Sequence, residues 1–180
     1  MNAKFVRLST IVIGLSFATN VRPCSILRPV SNVEMVRGAD VIVRATAEDY
    51  AVPPKKSNTF STFMPDSQVR FKVLEVIRGK LSDDYLLIHG TLVDLDDFND
   101  HNSPYTFVRP GGRGGNCFAL GYRSGGQFLL LLKKKADSEM TPYWYALGPT
   151  NEQLHSVDDP WLLWVRKEAD KPRTSTKQPE

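Results

Sequence analysis

Two cysteines and one acidic segment are the parts of this chain whose residue types could do chemistry. Cys24 and Cys117 are its only cysteines. In an oxidising compartment two such cysteines usually form a disulfide, and two free thiols are the alternative. Their chemistry therefore depends on where the protein is located, and the first residues of the chain predict that.

The N-terminus has the layout of a secretory signal peptide. Lys4 and Arg7 precede an apolar stretch that is shorter than the ~20 residues needed to span a bilayer. Small residues occupy the −3 and −1 positions of a cut after Ala18. We predict a signal peptide over residues 1–18, with cleavage as late as residue 23, and a secreted or periplasmic protein. A buried or amphipathic N-terminal helix is the alternative.

The charge balance is close to neutral once the signal is removed. The full chain has 23 Lys plus Arg and 20 Asp plus Glu, so loss of Lys4 and Arg7 leaves 21 against 20, a net charge of +1. Binding to nucleic acid would need a concentrated basic face, so we expect no such partner. The remaining length suits one domain with its own core, and we expect a monomer that does not span a membrane.

The acidic segment DLDDFNDHN is a candidate for binding hard cations, which take oxygen ligands. Its ionisable residues are Asp94, Asp96, Asp97, Asp100 and His101. The ligand order of an EF-hand is absent because Phe98 stands at the fifth position. The three histidines, His89, His101 and His155, show no zinc-ligand spacing. We therefore predict no metal here, and a solvated loop.

The glycine-rich segment does not predict a phosphate site. A phosphate-binding loop leads from a strand into a helix, whereas Gly125 and Gly126 lead into the strand-like run FLLLL. The chain also contains neither a GxSxG nor an HExxH motif. We therefore expect no catalytic residues and no cofactor.

The patterning predicts five strands between two helices. The predicted elements are a helix over 31–38, strands over 40–50, 68–79, 84–90, 126–134 and 143–147, and a helix capped by Asp159 with Pro160 at its start. A shift of the apolar set to Leu74 and Val76 predicts a bulge or bend near Val73. Residues 91–116 are expected to form a long loop, and residues 169–180 a disordered tail.

Five strands in an open sheet leave two vulnerable edges, and closure into a small barrel removes them. The sequence therefore predicts a mostly β protein with a five-stranded OB-fold-like barrel, a short N-terminal helix and a C-terminal helix. A small β-sandwich is the second choice.

Three segments carry a resemblance to a known family. They are CS at 24–25, DVIVRA at 40–45 and CFALGYRSGGQFLLLL at 117–132. In order and spacing they resemble the netrin-like domain of tissue inhibitors of metalloproteinases and their single-domain bacterial relatives. The resemblance implies a domain over residues 24–168, an OB-like barrel, and a disulfide between Cys24 and Cys117.

The resemblance also implies a partner-binding edge at Cys24, Ser25 and Ile26. In the inhibitors, the amino group and carbonyl of the first cysteine chelate the protease zinc. Ile26 stands where they have a second cysteine, and a cut after Ala18 leaves five residues ahead of Cys24. We therefore predict a non-enzymatic binding protein that does not inhibit proteases by this chelation.

Two other functions stay open at the level of sequence. One is genuine metalloprotease inhibition through a mature N-terminal Cys24. The other is an OB barrel that binds an oligosaccharide or peptide. The second would be favoured if the aromatic residues Tyr105, Phe107, Tyr143 and Tyr145 lined one groove. The partner itself, a protein or an extracellular ligand, is not specified by the sequence.

Overall fold

The computed structural model describes residues 31–55, 65–99, 101–105, 120–134, 140–142, 144–145, 148–149 and 151–171. The parts outside these ranges include the predicted signal peptide 1–18 with its cleavage region to residue 23, Cys24, Ser25, Ile26, Asp100, Phe107, Cys117, Tyr143 and the tail from residue 172. The side chain of Tyr145 also lies outside the described part. What the sequence predicts for these residues stays a prediction.

The described chain contains two helices and ten strands. The helices are α1 (Asn32–Gly38) and α2 (Pro160–Ala169). The strands are β1 (Val41–Val52), β2 (Gln68–Arg78), β3 (Tyr85–His89), β4 (Thr91–Val93), β5 (Gly121–Arg123), β6 (Gln127–Lys134), β7 (Met140–Pro142), β8 (Trp144–Tyr145), β9 (Gly148–Pro149) and β10 (Asn151–Gln153).

Five strands form one antiparallel sheet in the order β10–β6–β1–β2–β3, and β7 pairs with β6 beside β10. Two short pairs lie apart from this sheet: β4 with β5 in parallel, and β8 with β9 antiparallel. The predicted mostly β fold with two helices is confirmed. Among the described strands, no ladder joins β3 back to β7 or β10, so the sheet is open.

One face of the sheet buries an inner core. Its members are Val41, Val43, Ala45, Ala47, Val69, Phe71, Leu86, Ile88, Tyr122, Phe128, Leu130 and Leu132. They alternate along each strand because successive side chains of a strand point to opposite faces. The rings of Phe71, Tyr122 and Phe128 meet edge to face, with centroids 4.9 to 5.8 Å apart. This geometry suits the aromatic quadrupole.

The opposite face carries an outer core under the two helices. Its members are Val36, Ala39, Ile42, Tyr105, Leu129, Leu131, Leu154, Trp161, Leu162 and Val165. Both predicted helix starts are confirmed. Ser31 and Glu34 form a reciprocal capping box at α1, and Asp159 accepts a 2.8 Å hydrogen bond from the Trp161 N–H at α2.

Strand β2 contains the predicted bulge. Val73 pairs with Ala45 and Glu75 pairs with Arg44, so Leu74 is the extra residue. The bulge moves the later side chains to the other face, because one inserted residue reverses the alternation. Val73 therefore packs on the inner core and Ile77 on the outer core. Leu74 and Val76 are not the new packed pair, since they are 40% and 44% exposed.

The predicted strand 143–147 is not the fifth strand of the main sheet, although Trp144–Tyr145 do form the short strand β8. This strand pairs with Gly148–Pro149 apart from the main sheet, and the sheet position beside β6 is taken by β10 and β7. The aromatic residues of the sequence PYWYALGP favoured a strand, whereas the polar sequence of β10 concealed one. The long segment 91–116 is also not all loop, because β4 pairs with β5.

Candidate functional site

The outer face of the sheet has one covered half and one open half. The helices cover Ile42, Leu129 and Leu131, all of which are buried. Beyond them, the outer side chains of β1, β2 and β3 lie under neither α1 nor α2, the helices of the described chain. We call this region the open face; it consists of Thr46, Asp49, Val52, Gln68, Arg70, Lys72, Tyr85, Leu87 and His89.

The strand register arranges the open face in three rows. Lys72 lies between Thr46 and Tyr85. In the next two rows, Arg70 lies between Asp49 and Leu87, and Gln68 lies between Val52 and His89. The central strand β2 therefore supplies only polar side chains. The apolar ones lie at the margins, where Val52, Tyr85 and Leu87 are 40%, 44% and 49% exposed.

Arg70 is the most connected residue of the open face. Its Nη2 donates a 2.6 Å hydrogen bond to the Asp49 carboxylate, and its Nε lies 3.9 Å from Oε2 of Glu48. The guanidinium carbon lies 5.4 Å from the centroid of the Tyr85 ring, within the range of a cation–π contact. Neighbouring Lys72 is exposed and forms no ion pair with any described residue.

His89, which lies in the third row with Val52 and Gln68, has two polar contacts. His89 Nδ1 lies 3.1 Å from the carbonyl oxygen of Pro65, which can only accept, so Nδ1 carries the proton and donates. The other ring nitrogen lies 3.5 Å from the side-chain amide nitrogen of Gln68, so it can accept from that amide. His89 is thus held at the end of β3 by contacts with Pro65 and Gln68.

An ionic network borders the open face on the helix side. Glu75 accepts hydrogen bonds from Arg166 of α2, at 3.0 and 2.6 Å, and from Arg44 of β1, at 3.2 Å. Arg44 also donates to Gln127. The hydrogen bond from Arg166 lowers the pKa of the Glu75 carboxyl, although partial burial opposes this. The network joins α2 to the sheet where the covered half ends.

The acidic segment is held against β10 and is not simply solvated. Gln153 donates a 2.6 Å hydrogen bond to Asp96 and accepts one of 2.8 Å from the Asp97 N–H. Asn99 is buried and donates to Glu152. Asp94 and Asp96 remain exposed, as a solvated loop would have them. Residues 96–99 are therefore fixed against β10 by hydrogen bonds to its buried polar side chains.

Tyr105 does not line a groove. It is 6% exposed in the outer core, where its ring stacks on Trp161 at a centroid distance of 5.2 Å. Burial, with the nearby charges of Asp159 and Glu152, raises the pKa of Tyr105 to about 12. Its backbone carbonyl accepts a 2.6 Å hydrogen bond from Asn32 of α1. Tyr105 therefore does not meet the condition of an aromatic groove, and among the described side chains the exposed aromatic ring is that of Tyr85.

Sequence reasoning missed two features for different reasons. The polar side of β2 is readable in the sequence, because Gln68, Arg70 and Lys72 alternate with buried residues, but the pattern does not show whether a helix covers that side. The polar strand β10 left no such signal, since Asn151, Glu152 and Gln153 are all buried through hydrogen bonds that the chain makes with distant segments.

Within the described ranges, no three or more His, Cys, Asp or Glu side chains are placed to hold a metal ion. Neither α1 nor α2 has the length and apolar character needed to cross a membrane. No family model matches this chain, and no curated protein matches it.

Proposed function

We propose that the protein is a secreted or periplasmic, non-enzymatic binding module of the netrin-like kind. The observation that carries the proposal is the arrangement of the sheet. The strand order places both helices on one half of the outer face and leaves the other half open, with ordered polar side chains and exposed apolar ones. OB-type domains bind ligands on such a strand face.

A barrel of the OB type belongs to this proposal. Its support is that Cα atoms of β7 come within 8 Å of Cα atoms of β3, at opposite ends of the strand order. Two edges at that separation need little movement to pair, because paired strands lie about 4.8 Å apart. Closure would also protect both edges from aggregation.

A disulfide between Cys24 and Cys117 is the second part of the proposal. It is supported by the Asn32 to Tyr105 hydrogen bond, which brings the start of α1 against the segment that leads towards Cys117. The bridge would close a loop of 93 residues, which chain entropy values at ~4–5 kcal/mol of stability.

The exported protein tests the proposal directly. We expect N-terminal sequencing to find Thr19, and intact mass to find the protein lighter by two hydrogens than after reduction. Labelling of both thiols without reductant would refute the disulfide. Recovery of uncleaved protein in the cytoplasm would refute export.

Metalloprotease inhibition through Cys24 is the second candidate function, and the predicted cleavage site argues against it. A peptide amide nitrogen is a poor zinc ligand, so residues 19–23 would prevent chelation. We expect no inhibition of a zinc protease by the mature protein. A mature terminus at Cys24, with tight inhibition that acetylation of its amine abolishes, would establish this alternative instead.

A further inference from the structure

We infer that the open face binds a neutral oligosaccharide, laid across β2 with one sugar ring against Tyr85. The inference rests on the proposed binding function and adds to it a ligand class and a site. It draws on three properties of the open face: its charge balance, the position of its apolar side chains, and the order of its polar groups.

The charge balance argues against a polyanion. Arg70 and Lys72 are the cations of this surface, and Asp49 and Glu48 lie beside Arg70 at 2.6 and 3.9 Å. Lys72 alone is left without an ion-pair partner in the described chain. Nucleic acids and other polyanions are held by several cations that neutralise successive charges. If neighbouring Glu48 is counted, two cations and two carboxylates lie here, so a ligand without charge matches a surface whose net charge is near zero.

The position of the apolar groups argues against a large protein interface. Such an interface has an apolar centre and a polar rim. Here the order is reversed, because the Arg70–Asp49 ion pair occupies the middle row while Leu87 and Val52 lie at the margins.

Addition of a peptide strand at β3 is disfavoured as well. The hydrogen bonds Gly90 N–H to Ser67 and Val73 N–H to Asp84 set the pattern of the ladder. In that pattern the backbone N–H and C=O groups of Tyr85, Leu87 and His89 point away from β2 and could pair with a further strand. A strand inserted between β3 and β7 would need about 9.6 Å between them, two strand spacings, whereas Cα atoms of β7 and β3 come within 8 Å of each other.

The polar groups that remain are suited to sugar hydroxyls, which both donate and accept hydrogen bonds. Asp49 offers carboxylate acceptors, Gln68 an amide and Lys72 an ammonium donor. Mutual contacts already order Asp49, Arg70, Gln68 and His89, so binding loses less side-chain entropy. The Tyr85 ring, 44% exposed, presents an aromatic surface on which the C–H face of a pyranose can pack.

The test is a titration of the full mature protein with cellohexaose, chitohexaose and laminarihexaose, followed by calorimetry and by amide chemical shifts. Oligogalacturonate serves as the anionic probe. We expect saturable binding of at least one neutral probe, with shifts confined to β2, β3 and the facing part of β1. Tyr85→Ala should weaken binding by about tenfold or more, and Tyr85→Phe should retain it, because the ring supplies the contact.

Arg70→Met should also weaken binding, whereas Leu163→Ala, which removes an exposed side chain from α2, should not. Binding of oligogalacturonate alone, with strong salt dependence, would overturn the neutral-sugar inference. Shifts centred on α2, or no shift with any probe at millimolar concentration, would overturn the site or the ligand class. None of these results would alter the export and disulfide measurements, which test the proposed function separately.

Discussion

The covered half and the open face belong to the same strands, yet their side chains are held in place by different means. Ile42, Leu129 and Leu131 are at most 2% exposed because α1 and α2 pack on them. On the open face, Tyr85 and Leu87 are nearly half exposed and the polar residues are ordered by contacts with each other. The covered half thus contributes stability, and the open face retains ordered groups that nothing in the described chain uses.

The largest expected difference comes from matched leucines in the two halves. Leu129→Ala leaves a cavity between sheet and helices, and we expect a loss of about 2–5 kcal/mol in the free energy of unfolding. Leu87→Ala removes a side chain that is 49% exposed and should change it by ~0.5 kcal/mol or less. Urea denaturation measures both. Equal losses would mean that the open face is covered in solution.

The next effect concerns the carboxylates that fix α2. Hydrogen bonds from Arg166 lower the pKa of Glu75, and those from Lys171 and Arg37 lower the pKa of Glu168, both below the ordinary value of 4.5. A lowered folded pKa gives stability that is present above the unfolded pKa and is lost as pH falls through the folded one. We therefore expect stability to fall with acidification below about pH 4.5.

Two variants distinguish the contribution of these carboxylates to acid sensitivity from that of the other titratable groups. Glu75→Gln and Glu168→Gln should each cost about 1–2 kcal/mol near neutral pH, with the smaller loss for partly exposed Glu75. Together they should flatten the acid limb of a stability-against-pH curve. A double variant whose acid limb matched that of the parent would show that other groups cause the loss.

Capping of α2 gives a somewhat smaller effect. Asp159 is buried and accepts hydrogen bonds from the backbone N–H groups of Trp161 and His155. Asp159→Ala should cost about 1 kcal/mol. Neighbouring Asp158 is exposed and provides the control, since Asp158→Ala should change the melting temperature little. A comparable fall in both variants would argue against a capping role.

The covered half was the more predictable of the two regions. The capping box at Ser31, the Asp159–Pro160 start and the alternation of β1 are local patterns that determine local structure. They place a helix at each end of a β sheet without knowledge of distant contacts. The bulge at Leu74 was also readable, because it interrupts the alternation.

The rest depends on contacts between distant segments. Each of the buried side chains of Asn151, Glu152 and Gln153 forms a hydrogen bond with a residue 29 to 57 positions away, and their polar sequence alone resembles a loop. Tyr105 stands in a polar stretch of the sequence, and its burial in the outer core comes with packing on the distant residue Trp161 of α2. The open face is defined by where the helices end, which strand patterning alone does not specify.

The smallest expected effect tests whether the order of the open face serves stability at all. Arg70 and Asp49 form a 2.6 Å ion pair between side chains that are 44% and 53% exposed. Water screens such a pair, and holding two long side chains in place costs entropy, so exposed pairs contribute about 0.2–1 kcal/mol. A double-mutant cycle with Arg70→Met and Asp49→Asn should give a coupling energy in that range. A coupling of several kcal/mol would make Arg70 a structural residue, and any loss of sugar binding in Arg70→Met would then have to be attributed to a disturbed sheet.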